Sequence, residues 1–148
     1  MKEFRILFAL ANDALQAEIA ARLEKYYTIR GAENAEAVTD AIHEFQPQLA
    51  IIDYALADVN PIEIDEGLKF LHPDTKIVLC VTDENLEVAS RIWHKRAIDY
   101  IRKPLDIDHM EDDVNKIVRH LLDQVYKESL AKKLNDLEVE NEKLKRML

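Results

Sequence analysis

The chain has 148 residues, of which 48% are hydrophobic and 33% charged, and its formal net charge is −9; the apolar share supports a packed domain with an appendage and argues against wholesale disorder. The acidic balance argues against direct nucleic-acid binding, which exchanges counterions for Lys and Arg, and against docking on an anionic membrane surface. Cys80 stands alone, so it closes no internal disulfide, the apolar run Ile6–Ala11 is too short for a signal core, and no stretch approaches the roughly 20 apolar residues of a membrane span; a cytoplasmic protein is expected.

Taken along the chain, short apolar runs alternate with segments of helical period. Phe4–Leu10 reads as a buried strand, and Asp13 offers an N-cap for a helix carrying Leu15, Ile19 and Leu23. Tyr27–Arg30 is a short strand ending before Gly31. Asn34 caps a helix with Val38, Ile42 and Phe45 that stops before Pro47. Leu49–Asp53 is a buried strand, residues 54–61 a loop, and Ile62–Leu71 a short helix. Lys76–Thr82 is the next strand. Asp83 or Glu84 opens a helix with Leu86, Ala89, Ile92 and Trp93, and Ala97–Ile101 is the fifth strand before Arg102-Lys103-Pro104. Continuously apolar strands alternating with helices predict a doubly wound α/β domain around a five-stranded parallel sheet. In such sheets the working site lies at the carboxyl ends of the strands.

The last helix is set apart. No Pro or Gly interrupts residues 106–148. Leu130, Leu137 and Leu144 fall on d positions of a heptad, and Leu134, Asn141 and Leu148 on a. One buried Asn at a favours two parallel strands in fixed register, so a homodimer through a parallel coiled coil is expected. Leu121, Leu122, Val125 and Tyr126 do not continue the phase, which sets the expected division at residues 1–125 and 126–148. Residues 126–148 carry six Lys/Arg and five Asp/Glu. The stretch before them includes six acidic residues between Asp106 and Asp123 and lacks the basic cluster of a leucine-zipper DNA-binding helix.

Asp53, Thr82 and Lys103 each follow or end a strand, so the predicted sheet gathers a carboxylate, a hydroxyl and an ammonium at one edge. A carboxylate can attack a phosphoryl donor to form an acyl phosphate, and a hydroxyl and an ammonium can hold its oxygens. A cis peptide at Lys103-Pro104 would turn the lysine inward. With LAIID ending in Asp53, VLCVT ending in Thr82, and AIDYIRKP carrying Tyr100, Lys103 and Pro104, residues 3–125 resemble the receiver domain of bacterial response regulators in two-component signalling. The resemblance implies a flavodoxin-like receiver fold, Asp53 as the phosphoacceptor position, Thr82 and Lys103 as phosphoryl-sensing positions, and Tyr100 as the switch aromatic. It further implies a histidine kinase upstream, an effector domain or separate effector protein downstream, and an output face on the helix opened by Asp83, the fifth strand and the last helix.

The departures from the family pattern point one way. Receivers place an acidic pair after the first strand to hold Mg²⁺; here Leu10 and Ala11 stand there, and Asn12 and Asp13 come one or two residues late. Mg²⁺ demands near-octahedral oxygen ligands, so a weak site is expected, with Asp53 joined at most by Asn12 or Asp13. The residue after the threonine is normally small; here it is Asp83, whose charge repels a phosphate. The loop after Asp53 has Ala57 and Pro61 where the family has a proline and later a glycine. An atypical receiver with impaired or absent phosphorylation is expected, beside two alternatives: a working phospho-receiver and a phosphate-independent dimerisation scaffold. In the plainer reading of the same residues, Lys103 neutralises Asp53, Thr82 caps a helix, Tyr100 is a half-buried strand residue and Cys80 fills the core. An enzyme on the same fold, such as a flavoprotein, is not expected, because no Gly-rich or Ser/Thr-rich phosphate loop follows the first strand.

Overall fold

The computed structural model describes residues 4–56, 75–93 and 97–148. Two compact units make up the chain, Met1–Glu111 and Asp112–Leu148. The predicted helix Ile62–Leu71, the loop positions Ala57 and Pro61, and the side chains of Ile92 and Trp93 lie outside the described residues.

In the first unit five strands, β1 (Arg5–Ala9), β2 (Thr28–Gly31), β3 (Leu49–Asp53), β4 (Lys76–Val81) and β5 (Ala97–Arg102), form one sheet in the order β2-β1-β3-β4-β5. Every neighbouring pair is parallel. Ile6–Ala9, all of β3 and Ile77–Val81 are buried, as expected of apolar strands covered on both faces. Alternation puts Leu7, Ala9, Ala50, Ile52, Ile77, Leu79 and Val81 in one cluster with Val38, Ala41 and Ile42 of α2 (Ala35–Phe45).

β5 carries a local irregularity with large consequences. Its register against β4 passes from Ile77↔Ala97 to Val78↔Asp99, leaving Ile98 as an extra residue. Tyr100 therefore lies beside Leu79 and packs against the α2-side cluster, while Ile101 lies beside Cys80. A one-residue change of register exchanges the two faces of a strand.

Helix ends follow local chemistry. The N-cap of α1 (Asp13–Leu23) is Asn12, not the expected Asp13: Asn12 has extended backbone and its side chain accepts from Leu15 N at 3.0 Å. Asp13 begins the first turn, where a carboxylate suits the positive end of the helix dipole. Asn34 caps α2 through Ala37 N at 2.8 Å. α2 ends at Gln46, whose φ of 52° turns the chain toward Pro47. The helix α3 (Asp83–Trp93) opens at Asp83, one of the two expected starts, and Thr82 before it is the cap: Asn85 N donates to the Thr82 hydroxyl at 3.2 Å. β2 begins one residue later than expected and takes in Gly31.

The last helix, α4 (Ile107–Met147), has 41 residues and is about 60 Å long. Its first turn lies in the first unit, where Asp108 and Glu111 both pair with Arg22 of α1. In the second unit every residue from Asp123 to Leu148 is exposed, including Leu130, Leu134, Leu137 and Leu144.

Candidate functional site

The strand order reverses between β1 and β3, and in open α/β sheets a crevice forms at that point over the carboxyl ends of the strands. Asp53 ends β3 there, its side chain 3% exposed. Lys103 comes directly after β5; its N–H donates to Val81 O at 2.8 Å, and the Lys103–Pro104 peptide is cis. Lys103 Nζ lies 2.5 Å from Asp53 Oδ1. Ala55 N donates to the same Oδ1 at 2.9 Å and Ala11 N to Oδ2 at 3.1 Å. A charge-assisted bond and two backbone donors thus compensate a carboxylate withdrawn from water.

Thr82 is half-buried, and its hydroxyl accepts from Asn85 N. Tyr100 is half-buried, and burial pushes its phenol pKa up. Cys80 lies beside Asp53 in the β3–β4 pairing; burial, then the Asp53 charge, pushes its thiol up to about 12, against a smaller opposing effect of Lys103. Asp83 is exposed, with Arg102 Nε 3.8 Å from its carboxylate. The sheet thus brings Asp53 and Lys103 into direct contact, and places Thr82 directly after β4 and Tyr100 within β5.

The acidic pair that would complete a metal site has no counterpart after β1. Leu10 is buried and Ala11 reaches Asp53 with its backbone N–H. Asn12 Oδ1 is engaged by Leu15 N, and Asp13 is exposed in the first turn of α1. Among the described residues no group of three or more His, Cys, Asp or Glu could hold a metal ion. These donors do not fit the hard, near-octahedral oxygen shell of Mg²⁺.

Three participants carried no sequence signal. The N–H groups of Ala11 and Ala55 are backbone donors whose direction the fold sets. Gln16 Oε1 accepts from Leu10 N at 2.6 Å, which fixes the backbone just before Ala11. Its Nε2 would lie 2.7 Å from a Cβ at position 31, so Gly31 leaves the amide its place; a glycine closing β2 was the one available hint.

The model of the response regulator receiver domain matches residues 10–115, and the chain belongs to that family. It is 24% identical over 95 residues to the DNA-binding transcriptional regulator NtrC of Proteus hauseri, covering 64% of this chain and 20% of that protein. It is 25% identical over 93 residues to sporulation initiation phosphotransferase F of Bacillus subtilis, covering 63% of this chain and 74% of that protein. The crystal structure of a CheY-like response regulator receiver domain protein from Methanospirillum hungatei superposes with a TM-score of 0.66 at 21% identity, over 81% of this chain and 97% of that one. The chain thus spans about a fifth of the length of the NtrC proteins it matches. The fold is the flavodoxin-like receiver fold. Receiver domains are signalling modules of two-component systems rather than enzymes in general; they work with histidine kinases and effector domains and use Mg²⁺ for phosphorylation. No helix among the described residues is long and apolar enough to cross a membrane.

Proposed function

We propose that this chain is an atypical receiver module in which Mg²⁺-dependent phosphorylation of Asp53 is impaired or absent, and which passes its state to an effector through a dimeric coiled coil of residues 126–148. The observation that carries this reading is the Asp53 carboxylate, closed off by Lys103, Ala11 N and Ala55 N. Lys103 neutralises the Asp53 carboxylate directly. A phosphodonor would have to displace a 2.5 Å ion pair. The coil half of the reading is supported by the exposed seam Leu130, Leu134, Leu137, Asn141, Leu144 and Leu148, whose leucines gain burial only against another helix.

A second reading has its own support. Asp53, Thr82 and Lys103 lie at neighbouring strand ends, and among the described residues Oδ2 of Asp53 accepts from Ala11 N alone. In that reading Asp53 accepts a phosphoryl group, Thr82 and Lys103 hold its oxygens, Tyr100 responds, and a histidine kinase is the donor.

The sole tryptophan, Trp93, reports on the choice. Its fluorescence is followed while the protein is titrated with Mg²⁺ and then with beryllofluoride, with Asp53→Asn as control. The proposal expects no saturable change below millimolar Mg²⁺ and none with beryllofluoride. A Mg²⁺-dependent change that Asp53→Asn abolishes would establish the second reading instead.

A further inference from the structure

The charges flanking the exposed seam specify more than association. With Leu130, Leu137 and Leu144 at d, the g positions are Lys133, Glu140 and Met147, and the e positions are Ala131, Glu138 and Lys145. All six are exposed. In a parallel, in-register pair each g residue faces the e residue five positions on in the other helix. Lys133 then faces Glu138 of the second copy, and Glu140 faces Lys145. Twofold symmetry repeats both contacts, and Asn141 meets Asn141 in its own layer.

Antiparallel pairing of the same seam sets Leu130 on Leu148, Leu134 on Leu144 and Leu137 on Asn141. It brings Glu138 against Glu138 and Glu140 against Glu140, and it leaves Asn141 packed on leucine. A parallel pair slipped by one heptad also sets Asn141 on leucine. Like charges oppose both sides of the antiparallel seam, and an amide facing leucine loses its hydrogen-bonding partner.

We infer that the occupant of this face is a second copy of the same chain, bound parallel and in register, with Lys133–Glu138 and Glu140–Lys145 pairs selecting that arrangement. The inference rests on the coiled-coil reading above and adds the charge pairs that select the parallel, in-register arrangement over the antiparallel and slipped ones. Its consequence is that equivalent residues of the two copies, up to Leu148, lie side by side.

Sedimentation equilibrium of the full chain at low ionic strength tests it, using the native sequence, Lys133→Glu, Glu138→Lys and the double variant. Each single change converts two attractive contacts to repulsive ones and raises the dimer Kd roughly tenfold; the double variant restores the pairs in reversed sense and returns Kd to within about twofold of the native value. In an antiparallel dimer residue 133 faces Met147 and residue 138 faces itself, so neither single change would shift Kd; that result, or a double variant that fails to recover, overturns the orientation while leaving the coil standing. Leu148→Cys under mild oxidation gives a second measure, since Cys80 is buried: a disulfide-linked dimer is expected, and none forms if position 148 faces Leu130. A monomeric native chain, or a dimer unmoved by Leu137→Lys with Leu144→Lys, would remove the coil and this inference together.

Discussion

The carboxyl end of the sheet and the second half of the last helix make opposite use of their side chains. Around Asp53 the polar groups meet partners inside the unit: Asp53 with Lys103, Ala11 N and Ala55 N, Leu10 N with Gln16, Thr82 with Asn85 N. From Leu130 to Leu144 four seam leucines stand in water, with Leu134 61% and Leu137 58% exposed. On the proposed reading, the first region offers little to an incoming group, and the second gains burial only when another helix covers it.

The seam is where that contrast breaks most easily. Leu137→Lys with Leu144→Lys removes four core leucines from a dimer and should raise its Kd by about a thousandfold. Sedimentation should then report monomers, with far-ultraviolet circular dichroism confirming an intact first unit. The closed end should respond in stability instead. Lys103→Ala leaves Asp53 buried without its cation and should lower unfolding free energy by about 3 kcal/mol in urea titrations. Adding Asp53→Asn to that variant should recover much of the loss, because the charge that needed pairing is gone.

Cys80 sharpens the picture of a dry sheet interior. Its thiol is pushed up to about 12 from an ordinary 9.0. The unfolded chain therefore releases this proton above pH 9 while the folded chain keeps it. The protonated thiol's contribution is fully present below pH 9 and is lost as pH rises toward 12, by about 1.4 kcal/mol per pH unit. Stability measured from pH 8 to pH 10 should fall less steeply in Cys80→Ala. Native protein should also react with a thiol reagent at pH 8 only after unfolding. A smaller effect belongs to the helix starts: Asn12→Ala removes the cap of α1 and should lower stability by about 1 kcal/mol, whereas Asp13→Ala should change it by less.

Much of the first unit was legible because its strands are continuous apolar runs and its breaks are chemical. Leu49–Asp53 was read with its observed bounds and Lys76–Thr82 one residue too long, since Thr82 turns out to cap α3, and Pro47 marked the end of α2. The ambiguities sat where two residues compete for one job. Asn12 and Asp13 both cap helices well, and Asn12 wins because its amide oxygen reaches Leu15 N. At α3 the reading left Asp83 or Glu84 as the first residue; the helix opens at Asp83, with Thr82 bonded to Asn85 N as its cap. The extra residue in β5 was hidden because nothing in AIDYIR marks Ile98, yet it decides that Tyr100 lies beside Leu79. The pairing of Asp53 with Lys103 was anticipated from strand order. Its two backbone donors were not, because every residue carries an N–H and only the fold aims it.

The most direct test of the account is the intact mass of the full chain after incubation with Mg²⁺ and a small-molecule phosphodonor, with Asp53→Asn in parallel. Both proteins are expected to keep their starting mass. A gain of one phosphoryl group per chain in the native protein, absent from Asp53→Asn, would contradict it and would show that Asp53 leaves Lys103 to take up phosphate.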